Sequence, residues 1–546
     1  MDGPFRFAAS AVGASVDQVK LISCLLISYP LGSVFIRIPV TCPNWRHFFN
    51  VAITSFYLLP VLNMWTAYLQ LLADVLITYF LAARVKSSYM PWVVFAIIMG
   101  HLTTNHVIRA LYSLSYETFE ITGPQMVLTM KLTTFAFNVL DGRRPAGELD
   151  EWQTEKRIVE YPSLLAFLGY AFWFPGFLVG PSLEYANYDT LIHGTLFKAL
   201  ENDKEHAKSI RQRKLIPKGR KRVAYRRMLY GLIFLGAYVT FGGSYNIGVV
   251  VQDWFAKRSL FYRIGYLQIC GFFERTKYYA VWTLTEGAAI LTGFGFSGFT
   301  PAGKSRWAGA ANVDIYHIEL APNFKVLLDS WNMKTNVWLR ECIYKRVTPK
   351  GKKPGFRSSM ITFVTSAFWH GVAGGYYLTF AFGGFIQTAQ RLARKQIRPL
   401  FLPATYVAAK HSPPPPQTLA KVAYDVVGTI TTLLILNFTV VPFMLLSVHD
   451  SLLGWSRLGW YGLVMVGGAL VFFYGGGVRL LKRTQAARVK KATALQDKMA
   501  AETIDSGTVS DDPGQAPVLP PYDDAAKEFE GTEFMRRVNE LQQKGR

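Results

Sequence analysis

The chain has 546 residues, 51% of them hydrophobic and only 17% charged, with 59 Lys and Arg against 36 Asp and Glu. A soluble chain of this length carries about 25% charged residues and divides into domains of roughly 100–200 residues, so the balance excludes an ordinary soluble protein. The formal charge of +23 comes with no aromatic-interleaved surface or nucleic-acid motif, which argues against nucleic acid as a partner.

Windows 21–40, 49–80, 228–251, 423–448 and 461–481 run for about twenty residues or more with almost no charge. Such runs cross the ~30 Å hydrocarbon core as helices, the only open segments that lipid tolerates. The first begins after Lys20 with no small-residue cleavage site behind it, and reads as a membrane helix rather than a signal peptide. In chain order, membrane segments are predicted near 19–40, 50–66, 67–83, 91–112, 125–140, 162–180, 228–251 and 278–299. Two short pieces at 361–373 and 374–389 follow, then 423–448 and 460–480. The fold class is therefore an all-α polytopic membrane protein with about eleven transmembrane helices.

Lys and Arg cluster at 204–227, 345–357, 391–398 and 479–491. If these clusters face the cytosol, an even number of crossings must separate each consecutive pair, and the segments above supply two every time. Cys24, Cys42, Cys270 and Cys342 have no close spacing, so neither a disulfide framework nor a metal site is expected. The stretch "KHSPPPPQ" at 410–417 reads as a spacer. Residues 1–484 are taken as one membrane domain. The polar, Pro-, Gly- and acid-rich 485–546 is taken as a cytosolic, largely disordered tail.

Within "MITFVTSAFWHGVAGGYYLTFAFGGF" (360–385), His370 alone can titrate near neutral pH. An ionisable group at membrane depth is costly and faces a cavity or a partner, so His370 is either a catalyst or a structural bond across helices. Upstream, "APNFKVLLDSWNMKTNVWLRECIYKRV" (321–347) places Asn332 and Asn336 four apart and Trp331 and Trp338 seven apart. In one helix each pair would share a face, with Arg340, Lys345 and Arg346 at its basic end. His101 and His106, five apart, are poorly placed for a shared metal and read as helix-interface residues. Glu286 is expensive in an apolar segment, and is expected to pair with Lys277 or Arg275 or to line an acceptor pocket.

Taken together, a W-N-x-x-x-x-x-W-L-R segment, a basic loop and an apolar segment carrying W-H-G, with Asn332 and His370 38 residues apart, resemble the membrane-bound O-acyltransferase (MBOAT) family. "FFERTKYYAVWTLTEGAAILTGFGFSG" (272–298), "FPGFLVGPSLEY" (174–185) and "WHGVAGGYYLTF" (369–380) resemble its lysophospholipid acyltransferase branch, of the fungal broad-range type. The likeness covers roughly 15–480. The sterol and diacylglycerol branch shows F-Y-x-D-W-W-N where this chain has "LLDSWN" (327–332).

The resemblance implies a helical bundle around an internal tunnel in the endoplasmic reticulum membrane, its basic loops and tail cytosolic. It implies direct transfer of an acyl group from acyl-coenzyme A to a lysophospholipid hydroxyl, with the coenzyme as co-substrate and no resident cofactor or metal. His370 would be the general base. Asn332 would orient the substrate or stabilise the oxyanion, with Asn336 the residue able to exchange roles with it. Trp331, Asn336, Trp338, Arg340, Lys345, Arg346, Trp369 and Glu286 are expected along the substrate path. Two alternatives stand beside this reading: an acyltransferase of the same family acting on a sterol, diacylglycerol or protein, and a transporter using His370 in a proton or substrate path.

Overall fold

The structure, a computed structural model, describes residues 2–113, 119–198, 200, 209–211, 216–349, 351–352, 355–404, 406 and 415–505. Part of the 204–227 cluster, Lys350, Lys353, most of the 410–417 spacer and all of 506–546 lie outside the described residues.

Five helices among the described residues are long and apolar enough to cross a membrane: Val16–Phe35, Trp65–Arg84, Met90–Leu111, Leu419–Leu445 and Tyr461–Lys498. They leave large apolar side chains exposed, among them Leu69, Ile77, Ile97, Val426 and Val464, a surface suited to lipid rather than water. Several other expected crossings are short or broken. The 162–180 segment becomes Leu164–Ala171 and Phe174–Phe177, divided at the extended Trp173, with Pro175 in the first turn of the second piece, where its missing N–H costs no helical bond. The 361–373 segment is the 15-residue helix Phe356–His370, about 22 Å long at 1.5 Å per residue. Strand pairing among the described residues is limited to Ile210–Arg211 with Ile216–Pro217 and one bridge between Phe299 and Ser305.

Two helices organise the rest. The 33-residue helix Leu260–Thr292 receives Val16–Phe35 and Arg220–Phe241 along its length. A methyl group on Gly32 would lie 3.0 Å from the Ala288 carbonyl, and one on Gly287 would meet the Tyr29 hydroxyl and the Ala224 carbonyl. Small residues at these crossings let the backbones approach, the usual route to packing where lipid removes the hydrophobic drive. The second organiser, Thr122–Gly142, is buried on almost every side. Its Lys131 ammonium donates to the Tyr170 and Ala171 carbonyls, the unpaired end of the Leu164–Ala171 helix.

Val478–Asp505 is helical, so order continues well into the segment expected to be a tail. Its Ala, Lys, Arg and Leu content favours helix, and the Arg488 guanidinium donates to the Pro399 and Leu402 carbonyls.

Candidate active site

The 321–347 segment is not the single helix that its spacing suggested. It divides into Phe324–Ser330, Met333–Trp338 and a π-helical turn, Leu339–Tyr344. The break falls at Trp331, which is extended, and at Asn332, which takes the left-handed conformation at φ 44°. Asparagine is among the few residues that visit this region readily. Asn312 templates the break: its carbonyl accepts from Met333 N (2.9 Å), its Oδ1 from Lys334 N (3.0 Å), and its Nδ2 donates to Asn332 Oδ1 (3.2 Å). Two N–H groups of the new helix's first turn, which have no partner within it, are thus satisfied by one side chain and its backbone.

The break separates the residues that the spacing had paired. Trp331 turns to Trp282, with ring centroids 5.1 Å apart, and to Tyr278 and Tyr279. Trp338 is buried and donates to Thr133 Oγ1 at 2.9 Å. The two asparagines also part company. Asn336 Nδ2 donates to the Leu328 carbonyl at 2.9 Å and ties the two short helices together. Asn332 Oδ1 accepts from Asn312 and, at 2.9 Å, from Thr335 Oγ1, which fixes the amide's orientation. Among the described residues no bond uses the Asn332 Nδ2 donors.

His370 is the last residue of the Phe356–His370 helix. Aromatic rings surround its imidazole: Phe380 stacks at 5.3 Å, Phe443 meets it edge-on at 4.9 Å, Tyr376 lies at 5.6 Å and Trp369 at 4.7 Å. No hydrogen bond among the described residues ends on either ring nitrogen. Gly371 then adopts φ 142°, a value that favours glycine.

Both segments lean on the Thr122–Gly142 helix. Trp369 Nε1 donates to the Met126 carbonyl at 3.0 Å, and Thr335 Oγ1, whose proton goes to Asn332 Oδ1, packs 3.2 Å from Met130 Sδ. Residues 126 and 130 are one turn apart on one face. The neighbour of His370 and the hydroxyl that holds Asn332 therefore rest on consecutive turns of one buried helix.

The cations sit farther out, and most have carboxylate partners. Arg346 is bidentate on Asp141 at 2.8 and 2.5 Å. Lys345 bridges Asp150 (2.8 Å) and Glu341 (2.6 Å), and Arg340 pairs with Glu341. Glu286 meets neither expected partner. Arg275 is taken by Glu319 and Lys277 by Glu274, while Arg227 Nε lies 3.0 Å from the buried Glu286 carboxylate. Arg227 belongs to the Arg220–Phe241 helix, which sequence spacing could not place beside Glu286. Asn312, Thr335 and the three supports Met126, Met130 and Thr133 were also not anticipated. Only a signal in tertiary contact could have found them.

Fold and site define the class: a polytopic helical membrane protein with polar chemistry held inside its bundle. Residues 48–413 match MBOAT, the membrane-bound O-acyltransferase family, and the chain belongs to that family. It is 40% identical to a lysophospholipid acyltransferase of Schizosaccharomyces pombe, over 84% of this chain and 86% of the relative. It is 36% identical to the Saccharomyces cerevisiae lysophospholipid acyltransferase, over 91% and 81%. Human membrane-bound glycerophospholipid O-acyltransferase 2 is 31% identical, over 85% of each chain. The chain is an O-acyltransferase, which sets aside the transport alternative.

Proposed function

We propose that the chain moves a fatty acyl group from acyl-coenzyme A to the free sn-2 hydroxyl of a lysophospholipid, in the endoplasmic reticulum membrane with its basic loops toward the cytosol. His370 takes the hydroxyl proton as the oxygen attacks the thioester carbonyl, a task suited to an imidazole near neutral pH. The new C–O bond leaves an oxyanion, which the uncommitted Asn332 Nδ2 donors can stabilise in a dry site. The C–S bond then breaks, and the departing thiolate takes the proton back from the imidazolium. No acyl-enzyme and no cofactor is needed.

The observation that carries this reading is the way both polar residues are held. The Asn332 amide is oriented through its oxygen with its donors left over, and the His370 ring is fixed by aromatic faces rather than hydrogen bonds. His370 also ends a helix, where a transient positive charge is favoured by about 0.3–1 kcal/mol. Lys345, a third exposed, is the cation able to exchange a carboxylate for a coenzyme phosphate, while Arg346 stays on Asp141. The lipid substrate class rests on the fungal relatives. Microsomes given labelled acyl-coenzyme A and a panel of lysophospholipids test it: diacyl phospholipid should form. Label appearing only in sterol esters, triacylglycerol or protein would contradict the reading.

A further inference from the structure

The residue before the base is held at both ends. The Trp369 indole N–H donates to the Met126 carbonyl at 3.0 Å, and the Trp369 carbonyl accepts from His106 Nε2 at 3.2 Å. A carbonyl can only accept, so His106 carries its proton on Nε2. That carbonyl lies in the last turn of the Phe356–His370 helix, where no intrahelical donor reaches it. His106 comes from a different helix, Met90–Leu111, and is itself buried.

A second layer fixes the two holding groups relative to each other. Asn105 Nδ2 donates to Gln125 Oε1 at 2.8 Å, and Gln125 Nε2 donates to Asp74 Oδ2 at 3.2 Å. Asp74 Oδ1 lies 2.7 Å from His101 Nδ1. Asn105 and Gln125 immediately precede His106 and Met126 in the sequence. The polar bridge therefore sets the spacing of the two groups that hold Trp369. The site also leaves no slack on the far side of His370. A methyl group on Gly371 would stand 3.2 Å from the Tyr376 ring and 3.5 Å from His106 Nδ1.

We propose that His106 is a positioning residue for acyl transfer: by holding the Trp369 carbonyl it fixes the peptide that carries the His370 ring. The inference rests on His370 being the base, as proposed above. Without the His106 bond the last helical turn keeps the indole tether but is free to pivot about it. A displacement near 1 Å at a reacting group costs about a hundredfold in rate. Substrate binding should change little.

The test compares His106→Gln, His106→Phe and His106→Ala with His370→Ala, as full-length protein in microsomes and at matched amounts of folded enzyme. Glutamine keeps an N–H donor, while phenylalanine fills the ring's place without one, so the pair is informative even if the alanine protein does not accumulate. The phenylalanine and alanine variants should lose ten- to a hundredfold in kcat with KM for both substrates within about twofold, and glutamine should recover most of the loss. Wild-type kcat in His106→Phe, a glutamine variant as slow as phenylalanine, or a loss confined to KM would overturn the proposal. His370→Ala separates the two layers. If it retains turnover, the base assignment itself fails. If it is inactive while His106→Phe turns over normally, only the positioning role fails.

Discussion

Trp338 and Trp369 lie with ring centroids 5.8 Å apart at an interplanar angle of 48°. This pair joins the asparagine segment to the histidine helix, inside a small cluster with Met99, Leu102, Met130, Phe137 and Cys342. Each indole also donates to the Thr122–Gly142 helix, at Thr133 and at Met126. The two halves of the site are therefore registered by aromatic packing and by a shared support.

Trp338→Ala should remove that registration. Truncating a buried tryptophan costs about 3–5 kcal/mol, so the detergent-solubilised protein should melt earlier and turn over slowly per folded molecule. Trp338→Phe keeps a ring and loses one hydrogen bond worth about 1 kcal/mol, and should sit much nearer wild type. Equal melting temperatures for the alanine variant and wild type would contradict the registering role.

The three asparagines should separate by kind of defect. Asn332→Ala removes the proposed oxyanion donor, and should lower kcat by about 10²–10³ with modest change in KM. Asn336→Ala removes a bond between two short helices, and should show mainly as lost thermal stability. Asn312→Ala keeps the carbonyl that accepts from Met333 N but removes the acceptor of the Lys334 N–H and one of the two donors that orient the Asn332 amide, and should show both defects. Steady-state kinetics alongside thermal unfolding resolves the three. A larger kcat loss from Asn336→Ala than from Asn332→Ala would reverse their assignment.

Arg346 is expected to be structural rather than a coenzyme contact. Its guanidinium is bidentate on a fully buried Asp141, and removing one partner of such a pair costs about 3–5 kcal/mol because the other charge is stranded. Arg346→Met should therefore cut abundance, and adding Asp141→Leu should restore much of it. The KM for acyl-coenzyme A, measured on folded enzyme, should hardly move. A several-fold rise in that KM with normal abundance would return Arg346 to the phosphate-binding group.

The sequence made some of this visible and hid the rest, for physical reasons. Long uncharged runs announced the membrane helices because lipid enforces composition as well as length. His370 stood out because an imidazole is rare in such a run, and its distance from Asn332 made the pair recognisable. The short or divided segments were harder. A run such as 361–373 is apolar enough to suggest a crossing, yet the helix ends at His370 because Gly371 takes φ 142°. The break at Asn332 depends on Asn312, twenty residues earlier in the chain. His106 reaches Trp369 across 263 residues. Periodicity reports which residues share one helix face, and it carries no information about which distant helix supplies a partner.

His370 is proposed as the base of the acyl transfer. Single-turnover acyl transfer from labelled acyl-coenzyme A to lysophospholipid by purified wild-type and His370→Ala enzyme, with binding of both substrates measured separately, isolates that role. The alanine variant should bind both substrates with near wild-type affinity and transfer the acyl group at least about 10²-fold more slowly, the smallest contribution expected of a positioned general base. Transfer at the wild-type rate by correctly folded His370→Ala protein would contradict it.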